Sequence, residues 1–284
     1  MRRLDLSGRV VAITGGARGI GLATGRAAAR RGATIAVIDL DGELAGRAAA
    51  ELGSASFGLR ADVSNLEELE HAVSVIVERL GGIDVLVANA GVGPWTTTVE
   101  VGDREHQRRV LDVNLHGVWN TAWAGASRVT ARHGHLVIVS SIAAFTLTPG
   151  WAAYAASKAA VEQLARSMRI ELAPVGTTVG VAHFGVIDTE LVRQFEADPV
   201  ARAFELRAPA LVSRAASAES AGEALVRDIE RRRPRTIFPR WWAIPYALRG
   251  VAGPVGDALI VRDRRSLALM AQTRARDLEL EEAP

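Results

Sequence analysis

Short runs of apolar, mostly β-branched residues alternate along the chain with longer, alanine-rich amphipathic segments. The short runs predict strands at 10–14, 34–38, 56–60, 84–88, 135–140, 178–182 and 236–238. The segments between them predict helices near 19–31, 41–52, 65–80, 103–132, 154–172 and 217–232. Near-continuous apolar strands bounded by helices are typical of a parallel sheet that is covered on both faces. Because such crossovers are right-handed, the pattern predicts a single doubly wound α/β sheet of about seven strands.

Two regions depart from this alternation. Residues 189–216 are loop-like and mixed in charge, and residues 239–284 continue beyond the last predicted strand. A chain of 284 residues with 49% hydrophobic content can bury one sizeable core. We therefore predict one domain over 1–238, which includes the loop 189–216, followed by an apolar and aromatic extension over 239–284.

Composition and charge exclude several classes of protein. The net charge of +2 is close to neutral, and the basic run at 231–235 is interpreted as a solvated helix end, so no nucleic-acid partner is predicted. The absence of cysteine excludes disulfides, thiolate zinc sites and a cysteine nucleophile, and no metal site is predicted. The amino terminus lacks an apolar signal region, and no uninterrupted apolar stretch is long enough to span a membrane. We therefore expect a cytoplasmic protein.

A glycine-rich turn, TGGARGIG at 14–21, joins the first predicted strand to the first helix. Its glycines permit a tight turn, close approach of the backbone to a ligand, and a helix amino terminus that points at a pyrophosphate. Asp39 ends the second strand, near the spacing expected of an acid that holds the ribose hydroxyls of adenosine. The pattern therefore predicts a Rossmann-type dinucleotide site, with the residues Gly15, Arg18, Gly19, Ile20, Gly21 and Asp39.

The role of Asp39 has an alternative, and so does the choice of dinucleotide. Asp39 could instead cap the helix that follows it, within IDLDGE. Arg18 could point at the 2′-phosphate of NADP, but a carboxylate at position 39 would oppose that phosphate. We therefore predict NAD as the cofactor in preference to NADP.

Lys158 is the only lysine among 34 lysine and arginine residues, and it follows Tyr154, one of two tyrosines, by four positions. The local sequence YAASKAAVEQLA is a good helix former, which places both side chains on one face, one turn apart. Lysine is a compact charge that can join a proton relay, whereas arginine holds its proton permanently. An ammonium beside a phenol is expected to lower the phenol pKa towards neutral and to create a general acid/base. The alternative is an exposed lysine near a half-buried tyrosine.

Taken together, motifs in register over residues 7–238 resemble those of the short-chain dehydrogenase/reductase family. TGGARGIG is similar to the family's cofactor turn, and Asp62 and Val63 resemble its contact with the adenine ring. The segment NAG, which is Asn89, Ala90 and Gly91, resembles the turn after the fourth strand that supports the cofactor. The resemblance implies a Rossmann fold that binds a nicotinamide dinucleotide.

The resemblance also implies a catalytic set. Ser141 precedes Tyr154 by thirteen residues, which is the family's spacing, so it is chosen over Ser140. In this family the serine hydrogen-bonds the substrate oxygen, the tyrosine exchanges its proton, and the lysine binds the nicotinamide ribose and depresses the tyrosine pKa. Asn114 matches the position that connects the lysine through water to solvent. The alternatives are a strand-end hydroxyl that caps a turn, for the serine, and a buried amide that bonds its own helix, for Asn114.

The segment after the sixth strand departs from the family pattern. By register, Phe184 replaces a proline that the family usually has there, which puts the rigidity of the loop in doubt. The Ile187 backbone and the Thr189 hydroxyl would still meet the carboxamide and phosphate of the cofactor. Ala88 stands where the family often has a second asparagine. His183 could act as a catalytic base, although a structural role is favoured.

The predicted substrate walls are apolar. No charged residue falls among them, which suits a bulky apolar alcohol or ketone such as a lipid, terpenoid or sterol. Some of these residues are expected to belong to the core instead. The candidates are Trp95, Phe145, Leu147, Trp151, Phe184, Leu191 and Phe195.

These features predict an NAD(H)-dependent oxidoreductase that interconverts a hydrophobic secondary alcohol and its ketone. Two alternatives stay open, an NADPH-dependent ketone reductase and a non-catalytic dinucleotide-sensing protein on the same fold. A homodimer or homotetramer is expected through the helices at 103–132 and 154–172. The extension could pack on the domain or across a dimer, or it could contact a membrane through 239–262, where aromatic residues lie beside arginines.

Overall fold

The computed structural model describes residues 3–94, 96–196, 198, 202–203 and 214–281. The described strands, numbered in chain order, are β1 Val10–Thr14, β2 Thr34–Asp39, β3 Phe57–Arg60, β4 Val85–Ala88, β5 His135–Ser141, β6 Thr178–Phe184, β7 Ile187–Asp188, β8 Ala216–Ser217 and β9 Arg235–Phe238. Seven of them form one parallel sheet in the order β3-β2-β1-β4-β5-β6-β9. The doubly wound α/β prediction is confirmed.

Several helices between the strands begin at capping residues that the sequence supplies. The side chain of Asp41 accepts a hydrogen bond from the Leu44 amide at the start of Gly42–Leu52, and Asn65 caps Leu66–Leu80 in the same way. The other helices before β9 are Gly19–Ala29, Arg104–Leu111, Gly117–Thr130, Ala152–Leu172, Glu190–Glu196 and Ala218–Glu230. The helix predicted over 103–132 contains a π-helical turn, Asp112–His116, which the 3.6-residue period could not reveal.

Two hydrophobic cores lie on the two faces of the sheet. Along β1, Val11 and Ile13 pack into one core, whereas Val10 and Ala12 pack into the other. Both faces of the strand are therefore buried, which explains why its sequence is apolar throughout and does not alternate.

The region predicted as loop-like over 189–216 is partly ordered into regular structure. Glu190–Glu196 is helical, and a two-stranded sheet pairs Ile187 with Ala216 and Asp188 with Ser217. The prediction of a loop is therefore wrong for the start of this region. The cause is local, because a helix this short gives little periodic signal.

The extension after β9 folds into two helices, Ala243–Ile260 and Arg264–Glu281. The second helix attaches to the domain through Asp277, whose carboxylate accepts hydrogen bonds from the Thr97 hydroxyl and the Thr98 amide. Over the part of the chain that the structure describes, no helix has both the length and the hydropathy that crossing a bilayer requires.

Candidate active site

A cleft of about 410 Å³ opens at the carboxyl ends of the central strands. This edge is where an open parallel sheet changes the direction of its strand order, and ligands of such sheets bind there. The cleft gathers most of the residues that the sequence predicted for cofactor and catalysis, namely Gly15, Arg18, Gly19, Ile20, Asp39, Asp62, Val63, Asn89, Ala90, Gly91, Ser141, Tyr154, Lys158 and Thr189. Gly21, Ile187 and Asn114 lie behind its surface.

The glycine turn between β1 and the first helix leaves no room for a side chain at Gly15 or Gly21. Gly15 has a φ of +60°, and a Cβ there would lie 2.7 Å from the Ala90 Cα. A Cβ on Gly21 would lie 2.2 Å from the Gly15 carbonyl oxygen. The helix begins at Gly19, where no side chain caps the amide groups. Its positive end therefore faces the cleft, as a pyrophosphate site requires.

Asp39 is buried at the end of β2 and faces the same cleft. Its Oδ2 accepts a hydrogen bond of 3.1 Å from the Ala17 amide, in the glycine turn. The residue that caps the following helix is Asp41, so the alternative in which Asp39 is that cap is wrong. Arg18 forms an ion pair of 3.0 Å with Glu190 across the mouth of the cleft.

Asn89 ties the turn after β4 to the glycine turn. Its Nδ2 donates to the carbonyl oxygens of Thr14 and Gly15 at 3.0 and 2.9 Å. The Thr14 hydroxyl in return accepts from the backbone amides of Asn89 and Ala90. Thr14 thus positions the turn after β4, a role that the sequence analysis missed, although a hydroxyl at the end of a buried strand was a visible signal.

Asp62 and Val63 form the side of the cleft beyond β3. Burial raises the pKa of the Asp62 carboxyl, but hydrogen bonds from the Ser64 hydroxyl and amide outweigh burial and hold that pKa below its usual value. Val63 packs against Gly117, where a Cβ would lie 2.6 Å from the valine side chain. The glycine lets the long helix approach this wall closely.

Tyr154 and Lys158 lie one turn apart on the helix Ala152–Leu172, as predicted. The Lys158 Nζ is 5.7 Å from the centre of the tyrosine ring and donates to the Val139 carbonyl oxygen at 3.2 Å. Only 4% of Lys158 is exposed, which excludes the alternative of a solvated lysine. Burial lowers the Lys158 pKa to about 8, because the charged form loses hydration.

The pKa of Tyr154 moves against the expectation from the sequence. Burial raises it, and hydrogen bonding with Ser141 opposes this only in part. The depression expected from the neighbouring ammonium is therefore not observed, because loss of phenolate hydration dominates. The buried phenol keeps its proton at neutral pH in this structure.

The two serines at the end of β5 have different roles. The Ser140 hydroxyl donates to the Lys158 carbonyl oxygen at 2.7 Å, which ties the strand to the helix. The Ser141 hydroxyl accepts from the Ala143 amide at 3.2 Å and lies against Tyr154 in the cleft. Ser141 does cap a short 3₁₀ turn, yet it remains the serine that a substrate could reach.

Asn114 is fully buried in the π-helical turn. Its Oδ1 accepts from the Val92 amide at 2.8 Å and its Nδ2 donates to the Val92 carbonyl oxygen at 2.9 Å. The alternative in which this amide bonds its own helix is therefore wrong. A Cβ on Gly91 would lie 3.1 Å from Asn114 Oδ1 and 3.5 Å from Lys158 Nζ, so glycine permits the three residues to meet.

His183 lies below the cleft in a buried polar cluster. Its Nδ1 is 3.3 Å from the Ser141 carbonyl oxygen, and its Nε2 is 3.9 Å from a carboxylate oxygen of Glu162. Burial lowers the His183 pKa, and the charge of Glu162 opposes this. The ring does not line the cleft, which supports the structural role over that of a catalytic base.

The apolar residues predicted as substrate walls are brought together only in part. Phe184 and Leu191 line the cleft, whereas Phe145 packs edge-on against His183 and Leu147 is half exposed beyond it. The Trp151 ring nitrogen donates to the Thr96 hydroxyl at 3.3 Å. Trp95 lies outside the described residues, and so does the side chain of Phe195.

The cleft also contains residues that the sequence analysis did not select. Most are small or aliphatic residues next to the motifs, where nothing in the sequence distinguishes a wall from the core. They are Leu40, Ala61, Val92, Gly93, Arg109, Val113, Val139, Ser140, Gly185, Glu190 and Val192.

Known proteins are similar to this chain in architecture and in sequence. The family model described as short chain dehydrogenase matches residues 9–199. The 1-deoxy-11-beta-hydroxypentalenate dehydrogenase of Streptomyces exfoliatus is 37% identical over 196 residues, which is 67% of this chain and 71% of the relative. The cyclopentanol dehydrogenase of Comamonas sp. (strain NCIMB 9872) is 35% identical over 224 residues, which is 77% of this chain and 88% of the relative.

A solved structure gives the same result. The crystal structure of 3-ketoacyl-(acyl-carrier-protein) reductase from Brucella melitensis complexed with NADH superposes with a TM-score of 0.74 at 26% identity, over 82% of this chain and 97% of that one. The match over 9–199, the relatives and the seven-stranded sheet agree. The chain therefore belongs to the short-chain dehydrogenase/reductase family, whose members bind NAD(P), and it is an oxidoreductase of alcohols or carbonyl compounds.

Proposed function

We propose that the protein interconverts a hydrophobic secondary alcohol and its ketone with NAD(H), and that Tyr154 is the general acid/base. The observation that carries this proposal is a single cleft that holds both a dinucleotide cradle and the cluster of Ser141, Tyr154 and the buried Lys158. Burying an ammonium group opposes folding. A protein that only senses a dinucleotide has no use for such a group, so the cluster favours catalysis over the sensing alternative.

The chemistry of the cleft fits a nicotinamide dinucleotide. The uncapped helix end at Gly19 offers amide donors for the pyrophosphate, and the Asp39 carboxylate can accept from ribose hydroxyls. Asn89 holds the two turns together beneath this cradle. When bound, the nicotinamide supplies or accepts the hydride at the carbinol carbon.

The residues of the chain provide the proton transfer. In reduction, Tyr154 Oη donates its proton to the ketone oxygen, and in oxidation it takes the proton of the alcohol. Burial keeps the phenol protonated, which is the form that a ketone needs. The Ser141 hydroxyl orients the substrate oxygen, and the Lys158 ammonium stabilises the phenolate that forms during turnover.

Asn114 and Val139 position these groups without contact with the reacting atoms. Val139 accepts from the Lys158 Nζ, which fixes the ammonium beside the ring of Tyr154. Asn114 holds the Val92 backbone, and a side chain at position 91 would crowd Asn114 Oδ1, which lies near Lys158. The proposed route by which protons reach solvent therefore passes along this side of the cleft.

The charges around the adenosine end support NAD rather than NADP. Asp39 lies in the cleft, where it would repel a 2′-phosphate. Arg18 is already paired with Glu190, so it would have to leave that carboxylate to bind the phosphate. The NADPH-dependent alternative therefore requires both a repulsion and a broken ion pair.

The substrate end of the cleft supports a hydrophobic alcohol or ketone. Val92, Phe184, Leu191 and Val192 line it with apolar surface. The relatives from Streptomyces exfoliatus and Comamonas are named as dehydrogenases of 1-deoxy-11-beta-hydroxypentalenate and of cyclopentanol. A compact alicyclic or terpenoid alcohol is thus the class of substrate to examine first.

The test is a screen of nicotinamide absorbance with NAD and NADP against alicyclic, terpenoid and sterol alcohols and the corresponding ketones. We expect turnover with NAD(H) on at least one pair and its loss in Tyr154→Phe. If the protein binds NAD but turns over no member of the panel, the result would favour the alternative of a non-catalytic dinucleotide-sensing protein. If Tyr154→Phe keeps full activity, another group is the acid.

We also propose a homo-oligomer, either a dimer or a tetramer, in the cytoplasm. The helix Gly117–Thr130 exposes Trp119 and Trp123 at 52% and 66%, and Ile170 on Ala152–Leu172 is 77% exposed. Large apolar side chains grouped on two long helices are typical of an interface between subunits.

A further inference from the structure

The helix Ala243–Ile260, which we call the surface helix, turns its most apolar side to solvent. The exposed fractions are 68% for Ile244, 56% for Leu248, 72% for Val251, 55% for Val255 and 64% for Leu259. Their spacing of three or four residues places them in one stripe along the helix. Tyr246, on the opposite side, is the only buried residue of this fully described helix. The amphipathicity is therefore inverted relative to a helix that packs on its own core.

Polar contacts on the inner side fix this orientation. The Tyr246 hydroxyl donates to Glu162 Oε1 at 2.8 Å, and Arg249 reaches the same carboxylate oxygen at 3.3 Å. Arg235 and Arg249 also lie over the Tyr246 ring, at 4.3 and 3.8 Å from its centre. Glu162 is buried on the helix Ala152–Leu172. If the surface helix rotated to turn the stripe inwards, the carboxylate of Glu162 would lose Tyr246 and Arg249 as partners.

Positive charge stands at both ends of the stripe. Arg240 precedes the surface helix, and Arg262, Arg264 and Arg265 follow it, all of them exposed. Asp263 lies among them, but it is partly buried and accepts a hydrogen bond from the Ser266 amide, so the arginines are in excess. By the helical period, Asp257 lies on the inner flank and not in the stripe. A second copy packed on the stripe would bring arginines of both copies together in either orientation, which opposes self-association there.

We propose that the surface helix docks in the plane of an anionic lipid bilayer. The stripe enters the boundary between headgroups and acyl chains, and the flanking arginines bind lipid phosphates. This inference goes beyond the oxidoreductase activity and does not depend on it.

The surface helix packs against two residues that follow Ser141, which lines the cleft. A Cβ on Gly256 would lie 2.8 Å from the Leu147 side chain, and Tyr246 packs against Phe145 at 5.1 Å between ring centres. Both Phe145 and Leu147 follow Ser141 in the chain. Docking would therefore hold the side of the enzyme next to Ser141 against the membrane, where an apolar alcohol or ketone concentrates.

The test measures sedimentation of the full-length protein with two kinds of vesicle. One is phosphatidylcholine alone, and the other contains phosphatidylcholine and phosphatidylglycerol in about equal parts. We expect binding to the anionic vesicles and weaker binding to the neutral ones. Substitution of Arg264 by Gln should weaken anionic binding roughly fivefold, the contribution of one cation near such a surface.

A matched pair of variants tests the stripe itself. Val251→Glu should weaken binding to anionic vesicles about tenfold, because it removes a valine that the bilayer would bury and adds a charge that the anionic lipids repel. Val99→Glu is the control. Val99 is 71% exposed and Val251 is 72% exposed, but Val99 lies in a loop outside the extension. Both sites are solvent-exposed, and thermal unfolding of each variant checks that the fold persists.

Three results would overturn the proposal. The first is a wild-type protein that sediments with neither vesicle, and the second is equal loss of binding in Val251→Glu and Val99→Glu. The third is a change of molar mass in light scattering on Val251→Glu alone, which would show that a second copy covers the stripe.

Discussion

Lys158 holds an ammonium in a site from which water is nearly excluded, and this has a cost that can be measured. Its pKa falls from an ordinary value near 10.5 to about 8. At neutral pH the group is still charged, so it can serve the phenol beside it. The same burial opposes folding, because the charged form is better hydrated in the unfolded chain.

We expect this cost to appear as a pH dependence of stability in the cofactor-free protein. From about pH 8 to pH 10 the folded state has released the Lys158 proton and the unfolded chain still binds it, so the free energy of unfolding rises with pH by about 1.4 kcal/mol per unit. Urea denaturation at several pH values measures the slope. No other lysine and no cysteine titrates in this window, which keeps the signal clean.

The control for this slope is Lys158→Met, which fills the site with an apolar side chain. The variant should be more stable than the wild type at pH 8, and the difference should shrink as the pH approaches 10. Burial raises the pKa of Tyr154 in the folded state. Tyr154 therefore makes the free energy of unfolding fall with pH, but only above the ordinary pKa of the phenol. Equal slopes in both proteins would show that Lys158 is not desolvated.

Substitution at the catalytic pair should separate charge from proton transfer. Lys158→Arg keeps the charge but not the compact ammonium, and we expect roughly a hundredfold loss of kcat. Tyr154→Phe should lose about a thousandfold or more, while calorimetry shows that NAD still binds. A Lys158→Arg enzyme with the wild-type rate would refute the argument from the single lysine.

Asp39 should set the choice of cofactor. We expect NAD to bind about tenfold or more tightly than NADP, because the carboxylate repels the 2′-phosphate. Asp39→Asn removes that charge and should reduce the ratio of the NADP to the NAD dissociation constant. Glu190→Gln frees Arg18 and should reduce this ratio further. Isothermal titration of each protein with both cofactors decides this, and a wild-type preference for NADP would reverse the assignment.

At single positions, the sequence predicted residue types and spacing better than it predicted environments. The thirteen-residue spacing selected Ser141 over Ser140, and the hydrogen bond of Ser140 to the Lys158 backbone agrees with that choice. The predicted direction of the Tyr154 pKa shift was wrong, because that direction depends on how much water surrounds the phenol. Hydration is set by tertiary packing, which spacing along the chain does not specify.

At the scale of elements, the parallel sheet was predictable because both faces of its central strands are buried. The π-helical turn at Asp112–His116 was not, since it adds one residue to a turn of a helix without changing its composition. This turn carries Asn114, whose amide holds Val92. The irregular turn therefore carries the side chain that we propose to position the catalytic groups.

The attachment of the surface helix depends on contacts that no local pattern specifies. Glu162 lies one turn beyond Lys158 on the helix Ala152–Leu172, and its partners Tyr246 and Arg249 come from the far end of the chain. A sequence pattern indicates that 239–284 is apolar, but it does not reveal which residues meet Glu162. The pairing is long-range, as is the contact of Asp277 with Thr98.

The two tyrosines of the chain should give opposite results when each is replaced by phenylalanine. Tyr246→Phe removes the donor to the buried Glu162 carboxylate and should lower the free energy of unfolding by about 1.5 kcal/mol. Turnover should fall little in comparison. Tyr154→Phe should abolish turnover with a smaller change in stability. Denaturation and steady-state kinetics on both variants test this, and loss of activity without loss of stability in Tyr246→Phe would contradict it.

At the scale of the whole molecule, two exposed apolar surfaces call for different partners. One lies on the helices Gly117–Thr130 and Ala152–Leu172, and the other is the stripe of the surface helix. Arginines flank the stripe, which favours lipid phosphates over a second copy. The tryptophans at 119 and 123 have large flat faces suited to a subunit interface. One molecule could therefore use both surfaces at the same time.

The subunit interface leads to a prediction that keeps these surfaces apart. Light scattering at micromolar concentration should show at least a dimer for the wild type. Trp123→Glu should dissociate it, because the interface would have to bury an unpaired carboxylate in place of an aromatic ring. Val251→Glu should leave the molar mass unchanged, because Val251 belongs to the stripe that faces lipid. A wild-type monomer would refute the interface on these helices, whereas dissociation by Val251→Glu alone would move it to the surface helix.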